Sequence, residues 1–237
     1  SLMVPFRCVA SDVYNKKQVV FSNGDLGDAV RASMSFPFVF KPIKKDSVLL
    51  YDGGIYNNFP RDVMQNDFAP DFIFGSVVSE NAPVPDEHDL MGQVKTLMME
   101  RSDYSIPDSV GILLDMNIQD VKLLDFHKID KVVQTGYEET LALIDSVRKR
   151  VHRHQRRAVL AGKRIEFNKK KPELLFSTVT VNGVTENQAQ AIKKEFQQDN
   201  EKFSYEDCKK AYFRLLSGNS VASILPHAMY NEKDSTY

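Results

Sequence analysis

The sequence predicts an α/β fold, a mixed sheet with flanking helices, over residues 1–165, followed by a small α+β module of β-α-α-β order over residues 172–237. Three observations predict this organisation. Short apolar runs of strand length alternate with segments of helical period in the first part. A continuous apolar strand there ends in an Asp-Gly-Gly tripeptide at 52–54. A polar, basic stretch at 163–173 then separates a second set of elements with helix-capping signals.

The composition indicates a folded globular chain. Hydrophobic residues make up 42% of the 237 residues and charged residues 27%, which is typical of globular rather than disordered proteins. The net charge of -1 gives no overall field that would attract nucleic acid or an anionic membrane. No apolar run approaches the roughly 18 residues that a membrane helix requires. Cys8 and Cys208 form no CxxC pair, and we expect two buried thiols rather than a bridge or a metal site.

Two hairpins and a helix are predicted up to the Asp-Gly-Gly tripeptide. Residues 4–23 have the alternation and central turn of a first hairpin. A helix over 26–35 follows, with Asp25 as its N-cap and Asp28 as the capping-box partner, and it should end before the next proline. The second hairpin ends in the apolar run 47–51, which is typical of a strand buried on both faces.

The remainder of the first part contains two more strands and a long helix. Residues 71–78 and 110–118 are apolar runs of strand length. The stretch 80–89 is acidic and rich in proline, so we expect an exposed loop. Apolar residues recur at helical spacing from 130 to 161, which predicts one long amphipathic helix.

The second part has a compact pattern. Residues 174–181 are predicted to form a strand that ends at an Asn-Gly turn. Thr185 with Gln188 forms a capping box that opens one helix, and Ser204 with Asp207 opens a second. With a strand expected at the end, the order is β-α-α-β.

Asp52 is the strongest candidate for a catalytic residue. A carboxylate that follows a buried strand and precedes two glycines sits where backbone can approach a substrate closely. Such an aspartate serves as a general base if its surroundings tune its pKa. The alternative is that Asp-Gly-Gly has only a structural role, as a common turn sequence at the end of a strand.

The neighbouring motifs favour the catalytic interpretation. An Ala-Ser-x-x-x-Pro stretch at 32–37 precedes the second hairpin, and Asn-Asn-Phe-Pro follows the tripeptide at 57–60. This order resembles the patatin family of lipid acyl hydrolases, and residues 6–12 resemble the strand that precedes the region in that family. The resemblance is strong over about residues 4–80.

The resemblance implies a serine–aspartate dyad that hydrolyses acyl esters of lipids or phospholipids without a cofactor or a metal. Asp52 would be the general base, with Gly53 and Gly54 shaping its turn. In the family, the serine lies in Gly-x-Ser-x-Gly and a glycine-rich loop stabilises the oxyanion. Three residues could support the site by adjacency alone: Arg31, Asn57 and Asn58.

The chain departs from the family pattern at the nucleophile. It contains no Gly-x-Ser-x-Gly and no glycine-rich oxyanion loop, and Gly218-Asn219-Ser220 lacks the last glycine. Because Ser1 to Pro5 enter a strand directly, we expect part of a longer enzyme whose serine lies upstream. A degenerate relative is the alternative. In either case we expect this chain alone to be inactive.

Other polar residues have more ordinary interpretations. Ser33 and Ser35 could be mistaken for nucleophiles, but serines at a helix end near a proline are usually caps or turn residues. The basic run 148–157 fits a solvated helix face, with an anionic lipid surface as the alternative and nucleic acid disfavoured. Within it, two histidines two residues apart make a poor metal pair. His88 lies among acidic residues in the expected loop and lacks a defined ligand set.

The second part resembles a POTRA domain, the module found before outer-membrane β-barrels. The resemblance rests on residues 176–183, the predicted helix 186–197 and the Tyr-Glu-Asp at 205–207. It implies a place in the bacterial cell envelope, in the periplasm or at the cell surface, with the membrane surface reached through a downstream barrel. It also implies that a sheet edge could bind an extended peptide.

A second function class fits the same features. In it, the chain is a non-catalytic scaffold or assembly protein, a decayed hydrolase fold that binds partners through its POTRA-like module. A Gly-x-Ser-x-Gly motif about a hundred or more residues before Asp52 in the gene would favour the enzyme, and its absence the scaffold.

Overall fold

The chain divides into two compact units, Ser1–His154 and Gln155–Tyr237. The computed structural model describes all residues except 1, 117, 119–120, 122–124, 153–154, 198–200, 219–220 and 222. The predicted boundary at 163–173 falls inside the second unit, so a domain division at that segment stays a prediction.

The first unit is built on a four-stranded antiparallel sheet, in which the strands lie side by side in the order second, first, fourth and third along the chain. Both predicted hairpins are confirmed, and Asp46 lies in the tight turn between the third and fourth strands with a positive φ of 48°. The register between the hairpins sets Ala10 opposite Asp52. The strands are β1 Cys8–Asp12, β2 Lys17–Phe21, β3 Ile43–Lys45 and β4 Val48–Asp52.

One face of this sheet packs against the helix α1, Leu26–Ser33. The carboxylate of Asp25 accepts a hydrogen bond from the backbone N–H of Asp28, which confirms the predicted N-cap. Apolar residues from the strands and the helix share the core: Cys8, Ala10, Phe21, Ala29, Ala32, Ile43 and Leu50.

The expectation that residues 47–51 are buried on both faces is wrong. Leu50 is 3% exposed, whereas its neighbour Leu49 is 46% exposed. The reason is that β4 belongs to an antiparallel sheet whose one face contacts α1, so successive side chains alternate between core and surface.

The remaining elements of the first unit include a second, parallel pair of strands, β5 and β6. This pair confirms the strands predicted at 71–78 and 110–118. In chain order, the elements are a 3-10 turn at Gly53–Ile55, α2 Arg61–Phe68, β5 Ile73–Val77, α3 Leu90–Met98, β6 Gly111–Asp115, a 3-10 turn at Phe126–Lys128 and α4 Ile129–Arg150.

The prediction of one helix over 130–161 is wrong. Helix α4 ends at Arg150, and a separate helix, α5 Arg157–Lys169, begins in the second unit. Val151 adopts an extended backbone with ψ near 102°, which stops the helix. A tertiary contact at the same place overrides the periodicity, because Arg150 donates to the carbonyl of Gly111 at 2.8 Å and lies over the ring of Phe72.

The second unit contains two capped helices beside a short antiparallel strand pair. Ser204 and Asp207 form the predicted capping box of the second of these helices. Gln188 accepts a hydrogen bond from the backbone N–H of Thr185 at 3.0 Å, half of the predicted box at the first. The elements after α5 are β7 Leu175–Phe176, α6 Glu186–Gln197, β8 Phe203–Ser204 and α7 Tyr205–Ser217. Among the described residues the order is thus β-α-β-α, so the predicted order β-α-α-β is wrong. The partner strand of β7 lies directly before α7, where Phe203 pairs with Phe176.

The strand predicted over 174–181 is only two residues long. Its continuation instead bonds to the final residue: Ser177 donates its backbone N–H to the carbonyl of Tyr237, whose own N–H donates to Leu175. The apolar spacing signals burial of this segment, and its one ring, Phe176, is half-buried against the rings of Phe203 and Tyr237, each 5.7 Å away between ring centroids. Beyond Phe176, these ring contacts and the backbone bonds to Tyr237 take the place of pairing with a neighbouring strand.

Both cysteines are free thiols. Cys8 is buried, as expected, whereas Cys208 is half-buried, and burial raises the pKa of its thiol to about 11. Among the residues that the structure describes, the helices are too short or too polar to cross a membrane.

Candidate active site

Asp52 is the last residue of β4 and is fixed by its backbone on two sides. It is paired with Ala10 of the neighbouring strand. Its backbone N–H donates to the carbonyl of Ser35 at 3.0 Å, which ties the strand end to the segment after α1. The position of the carboxylate therefore follows from the two hairpins and the helix between them.

The Asp52 carboxylate is half-buried, and this changes its acidity. Burial raises the pKa of Asp52 above its ordinary value, and the hydrogen bond that Oδ1 accepts from the N–H of Gly54 at 2.8 Å opposes part of the rise. A carboxylate whose pKa is raised toward the working pH binds a transferred proton more readily than an exposed aspartate does. The environment of Asp52 thus favours proton acceptance.

Gly53 is required by a close approach of the 3-10 turn to β1. A Cβ atom at this position would lie 2.3 Å from the carbonyl oxygen of Val9, a distance that real side chains do not reach. At Gly54, a Cβ would lie 2.7 Å from Oδ1 of Asn58 and 3.0 Å from Oδ1 of Asp52. Both glycines are buried, and together they let the chain turn closely beneath the carboxylate.

Asn58 is held by a network that the sequence did not reveal. Its side-chain amide donates to the hydroxyl of Tyr104 at 2.8 Å and to that of Ser79 at 3.3 Å. Its backbone N–H donates to the hydroxyl of Ser102 at 3.1 Å. These partners lie 21 to 46 residues further along the chain, where no local motif marks them.

Asn57 belongs to a second polar cluster on the same loop. Its amide donates to Gln18 and to Asp62, each at 2.8 Å. The Gln18 amide in turn donates to Asp62 at 3.2 Å, and these two bonds hold the pKa of Asp62 below its ordinary value despite partial burial. Asn57 therefore joins β2 to the start of α2 through its side chain, and its backbone N–H donates to the carbonyl of Gly53 at 2.9 Å. Its role is one of positioning the turn.

The serines near Asp52 act as structural residues. Ser35 is buried, and its hydroxyl donates to the carbonyl of Arg31 at 2.6 Å, which caps the end of α1. This arrangement confirms the interpretation of Ser35 as a cap residue. Ser33 is the last residue of α1, as a helix-terminal role requires. Arg31 is connected to Asp52 through its backbone carbonyl, which accepts from Ser35, the residue whose own carbonyl accepts from Asp52.

The other candidate positions are His88 and the basic run 148–157. His88 is exposed and lies 3.4 Å from the carboxylate of Glu87. Within the described part of the chain, no three His, Cys, Asp or Glu side chains converge as metal ligands would. In the basic run, Arg148 and Lys149 are exposed and Arg150 is anchored on β6, while residues 153 and 154 lie outside the described residues. Of the sequence resembling a nucleophile motif, Asn219 and Ser220 also lie outside them.

The arrangement can accept a proton but does not supply a nucleophile. A half-buried carboxylate at a strand end, next to a close backbone turn, is suited to take a proton from a hydroxyl that another segment brings within about 3 Å. The sequence has no Gly-x-Ser-x-Gly to provide that hydroxyl.

Comparison with known proteins finds a family similarity in the region of the site. Residues 8–64 match the family model described as patatin-like phospholipase. This range includes both hairpins, α1 and Asp52, and it ends inside α2.

Three relatives extend the comparison. An uncharacterised NTE family protein of Mycobacterium tuberculosis is 24% identical over 159 residues, which cover 55% of this chain and 27% of the relative. A second uncharacterised NTE family protein of the same organism is 42% identical over 59 residues, 25% of this chain and 16% of the relative. The neuropathy target esterase of Drosophila melanogaster is 39% identical over 67 residues, 27% of this chain and 5% of the relative.

The chain therefore matches about a quarter or less of the length of these relatives. The similarity is concentrated where the two hairpins and α1 hold Asp52. Residues 8–64 are thus similar to patatin-like phospholipases, and the chain has relatives in the NTE family.

Proposed function

We propose that this chain is part of a serine hydrolase of lipid acyl esters and that Asp52 is its general base. One observation carries the proposal: within the segment that matches patatin-like phospholipases, a half-buried aspartate with a raised pKa ends a strand beside two glycines that admit no side chain. Such a group is suited to hold a proton during acyl transfer.

In the proposed mechanism, a serine hydroxyl from a part of the protein outside these residues attacks the ester carbonyl. Its proton passes to the Asp52 carboxylate as the new C–O bond forms, and the protonated Asp52 gives that proton to the departing alcohol. Water then attacks the acyl-serine ester, and Asp52 accepts the water proton before returning it to the serine oxygen. Oδ1 accepts a hydrogen bond from the N–H of Gly54, and we assign the transferred proton to Oδ2.

The enzymatic proposal is tested by turnover of a p-nitrophenyl ester. The protein that contains Gly-x-Ser-x-Gly together with these residues should hydrolyse it, and Asp52→Asn should lower kcat by about 10²–10⁴-fold, the usual contribution of general acid–base catalysis. The 237-residue chain alone should give no turnover. Turnover by that chain which Asp52→Asn abolishes would show that the nucleophile is already present in it.

A matched control separates loss of the base from loss of a surface charge. Asp115 also ends a strand, β6, but its side chain is exposed. Asp115→Asn should leave kcat within about twofold of the unaltered protein, as surface changes usually do.

For the second unit we propose a POTRA-like binding module of a cell-envelope protein. The support is the pair of helices α6 and α7 beside the short β7–β8 strand pair, although the second strand precedes α7 instead of following it. If the protein instead lacks a serine nucleophile, this module becomes the functional part, and the first unit is a scaffold. Periplasmic or surface exposure of the protein in intact bacteria, measured by protease accessibility, tests this proposal, and a protein found protected in the cytoplasm would contradict it.

A further inference from the structure

A segment that is distant in sequence, residues 100–105, is bonded to the loop that follows the candidate base. At the start of this segment, the backbone N–H of Glu100 donates to the carbonyl of Ile55 at 2.7 Å. At its end, the guanidinium of Arg61 donates to the carbonyl of Ser105 and to its hydroxyl, the latter at 3.2 Å. The 100–105 segment is therefore attached to the loop at both of its ends.

Between these two attachments, the segment holds Asn58. The backbone N–H of Asn58 donates to the hydroxyl of Ser102 at 3.1 Å, and its side-chain amide donates to the hydroxyl of Tyr104 at 2.8 Å. The ring of Tyr104 also lies 6.0 Å from that of Phe59, measured between centroids. One segment thus fixes both the backbone and the side chain of Asn58.

Ser102 is itself fixed by further contacts. Its backbone N–H donates to Oδ1 of Asn81 at 2.8 Å, and its carbonyl accepts from the amide of the same asparagine at 3.0 Å. Next to it, the loop and the segment both pack on β5, because a Cβ at Gly75 would lie 2.6 Å from the ring of Phe59 and 2.5 Å from the side chain of Ile106. The hydroxyl that holds Asn58 therefore has a rigid support.

Asn58 is the point at which this network reaches the candidate base. A Cβ at Gly54 would lie 2.7 Å from Oδ1 of Asn58 and 3.0 Å from Oδ1 of Asp52, so the two oxygens border the same small space. The amide nitrogen of Asn58 instead donates to the hydroxyls of Tyr104 and Ser79. The side chain of Asn58 therefore presents an acceptor, rather than a donor, to the space beside the carboxylate.

We propose that Ser102 and Tyr104 are positioning residues for Asp52 and that they act through Asn58. They hold the Asn58 amide with its oxygen over Gly54, so that the carboxylate keeps the surroundings and the geometry that proton transfer requires. The proposal rests on the proposed function, since it assigns the 100–105 segment a part in the action of the general base.

The acidity of Asp52 reports whether Asn58 is held. Burial is the first cause of the raised pKa of Asp52, while in the segment Asp103 pairs with Arg61 at 3.1 Å and the charged residues 100–101 are exposed. Release of Asn58 would admit water or let its amide nitrogen turn toward the carboxylate. Both changes favour the charged form and lower the pKa.

The first test is an NMR titration of the 237-residue chain, which requires no catalysis. The side-chain carboxyl signals of ¹³C-labelled aspartate are followed with pH, and the Asp52 signal is the one missing from Asp52→Asn. Tyr104→Phe should lower the pKa of Asp52 toward that of an exposed aspartate. Ser102→Ala should shift it in the same direction, and this second variant decides the question if Tyr104→Phe does not fold.

Tyr14→Phe is the matched control, because it removes the same hydroxyl from a side chain that is 92% exposed. It should leave the pKa of Asp52 unchanged. An unchanged pKa in Tyr104→Phe and Ser102→Ala, together with a lower free energy of unfolding, would assign the segment a purely structural role. A shift in Tyr14→Phe as large as that in Tyr104→Phe would also overturn the proposal.

The second test measures turnover of a p-nitrophenyl ester by the complete gene product. Tyr104→Phe should lower kcat by about tenfold or more with KM unchanged, because a misplaced base affects the transition state rather than substrate binding. Tyr14→Phe should stay within about twofold. Equal losses in the two variants, or a rise in KM with kcat unchanged, would contradict the positioning role. If the unaltered gene product gives no turnover, the proposed function fails, whereas the titration still decides whether the segment positions Asp52.

Discussion

At the scale of single residues, burial makes the charged form of the Asp52 carboxylate less favourable than that of an exposed aspartate. Because the folded pKa of Asp52 is raised, the native state binds more protons than the unfolded state does between the ordinary aspartate pKa and the raised one. The free energy of unfolding therefore falls as pH rises through that window, and the loss persists at neutral pH.

Asp52→Asn should consequently stabilise the 237-residue chain at pH 7, by about 0.5–1 kcal/mol, because the neutral amide removes the desolvated charge. The amide can still accept from Gly54 through its oxygen. The gain should shrink as the pH is lowered below the ordinary aspartate pKa, where the wild-type carboxyl is protonated in both states. Urea unfolding at acid and neutral pH measures this difference. A variant less stable than wild type at pH 7 would contradict the burial of the charge.

Gly53 provides a second prediction at this scale. Gly53→Ala should destabilise the chain by roughly 1–3 kcal/mol, the usual range for a methyl group forced into a packed site, because its Cβ would collide with the Val9 carbonyl. Gly162→Ala is the control, since nothing lies within 4 Å of its Cβ inside α5. It should gain roughly 0.5–1 kcal/mol from helix propensity. Equal unfolding midpoints for the two variants would be inconsistent with the close approach at residue 53.

The residues of the site differ in how far sequence could identify them. Asp52 and its glycines are marked by local order: an apolar strand, then a carboxylate, then residues without side chains. The bonds from Asn58 to Ser102 and Tyr104 span 44 and 46 residues. Such partners are chosen by the packing of separate segments, and neither a motif nor a spacing in the sequence encodes them.

At the scale of elements, the capping box of α7 makes a quantitative prediction. Ser204→Ala should cost about 1 kcal/mol, the typical loss of an N-cap, because Asp207 loses both the acceptor for its N–H and the hydroxyl that donates to its carboxylate. Ser217→Ala is the matched control at the other end of the helix, where the hydroxyl donates to the carbonyl of Phe213. It should fall within about 0.5 kcal/mol of wild type. Thermal unfolding of the two variants measures the difference, and a cost at Ser217 as large as that at Ser204 would refute the cap assignment.

Elements were predictable where their signals are local. The N-caps of α1 and α7 and the two hairpins follow from residues three to five apart, and all of them form as expected. The end of α4 does not follow from such signals, because Arg150 is anchored on the carbonyl of Gly111, 39 residues away. Periodicity continues past that point in sequence while the helix does not.

At the scale of the whole chain, the second unit allows a test of its minimal folded part. Helix α5 buries no residue, whereas the rings of Phe176, Phe203 and Tyr237 stack within the residues that follow it. Residues 172–237 expressed alone should therefore melt within about 5 °C of residues 155–237, a difference of less than about 1 kcal/mol. Calorimetry of the two fragments checks this. If the shorter fragment is unfolded while the longer is folded, α5 is part of the domain and the predicted boundary is wrong.

The proposed catalysis involves more than one segment, because the chain holds the proposed base and lacks the nucleophile motif. Fold class was predictable from the alternation of strand and helix patterns, since that alternation determines how layers are built. The proposed activity depends on how the Asp52 carboxylate would meet a serine hydroxyl, and the sequence of this chain contains no Gly-x-Ser-x-Gly motif that would provide it.

The most direct test is labelling of the complete gene product with a fluorophosphonate, which reports an activated serine whatever the substrate. We expect labelling of the unaltered protein and of the Asp115→Asn control. We expect no labelling of Asp52→Asn, with all three proteins folded. Absence of labelling in the unaltered folded protein, or labelling that persists in Asp52→Asn, would contradict the assignment of Asp52 as the general base.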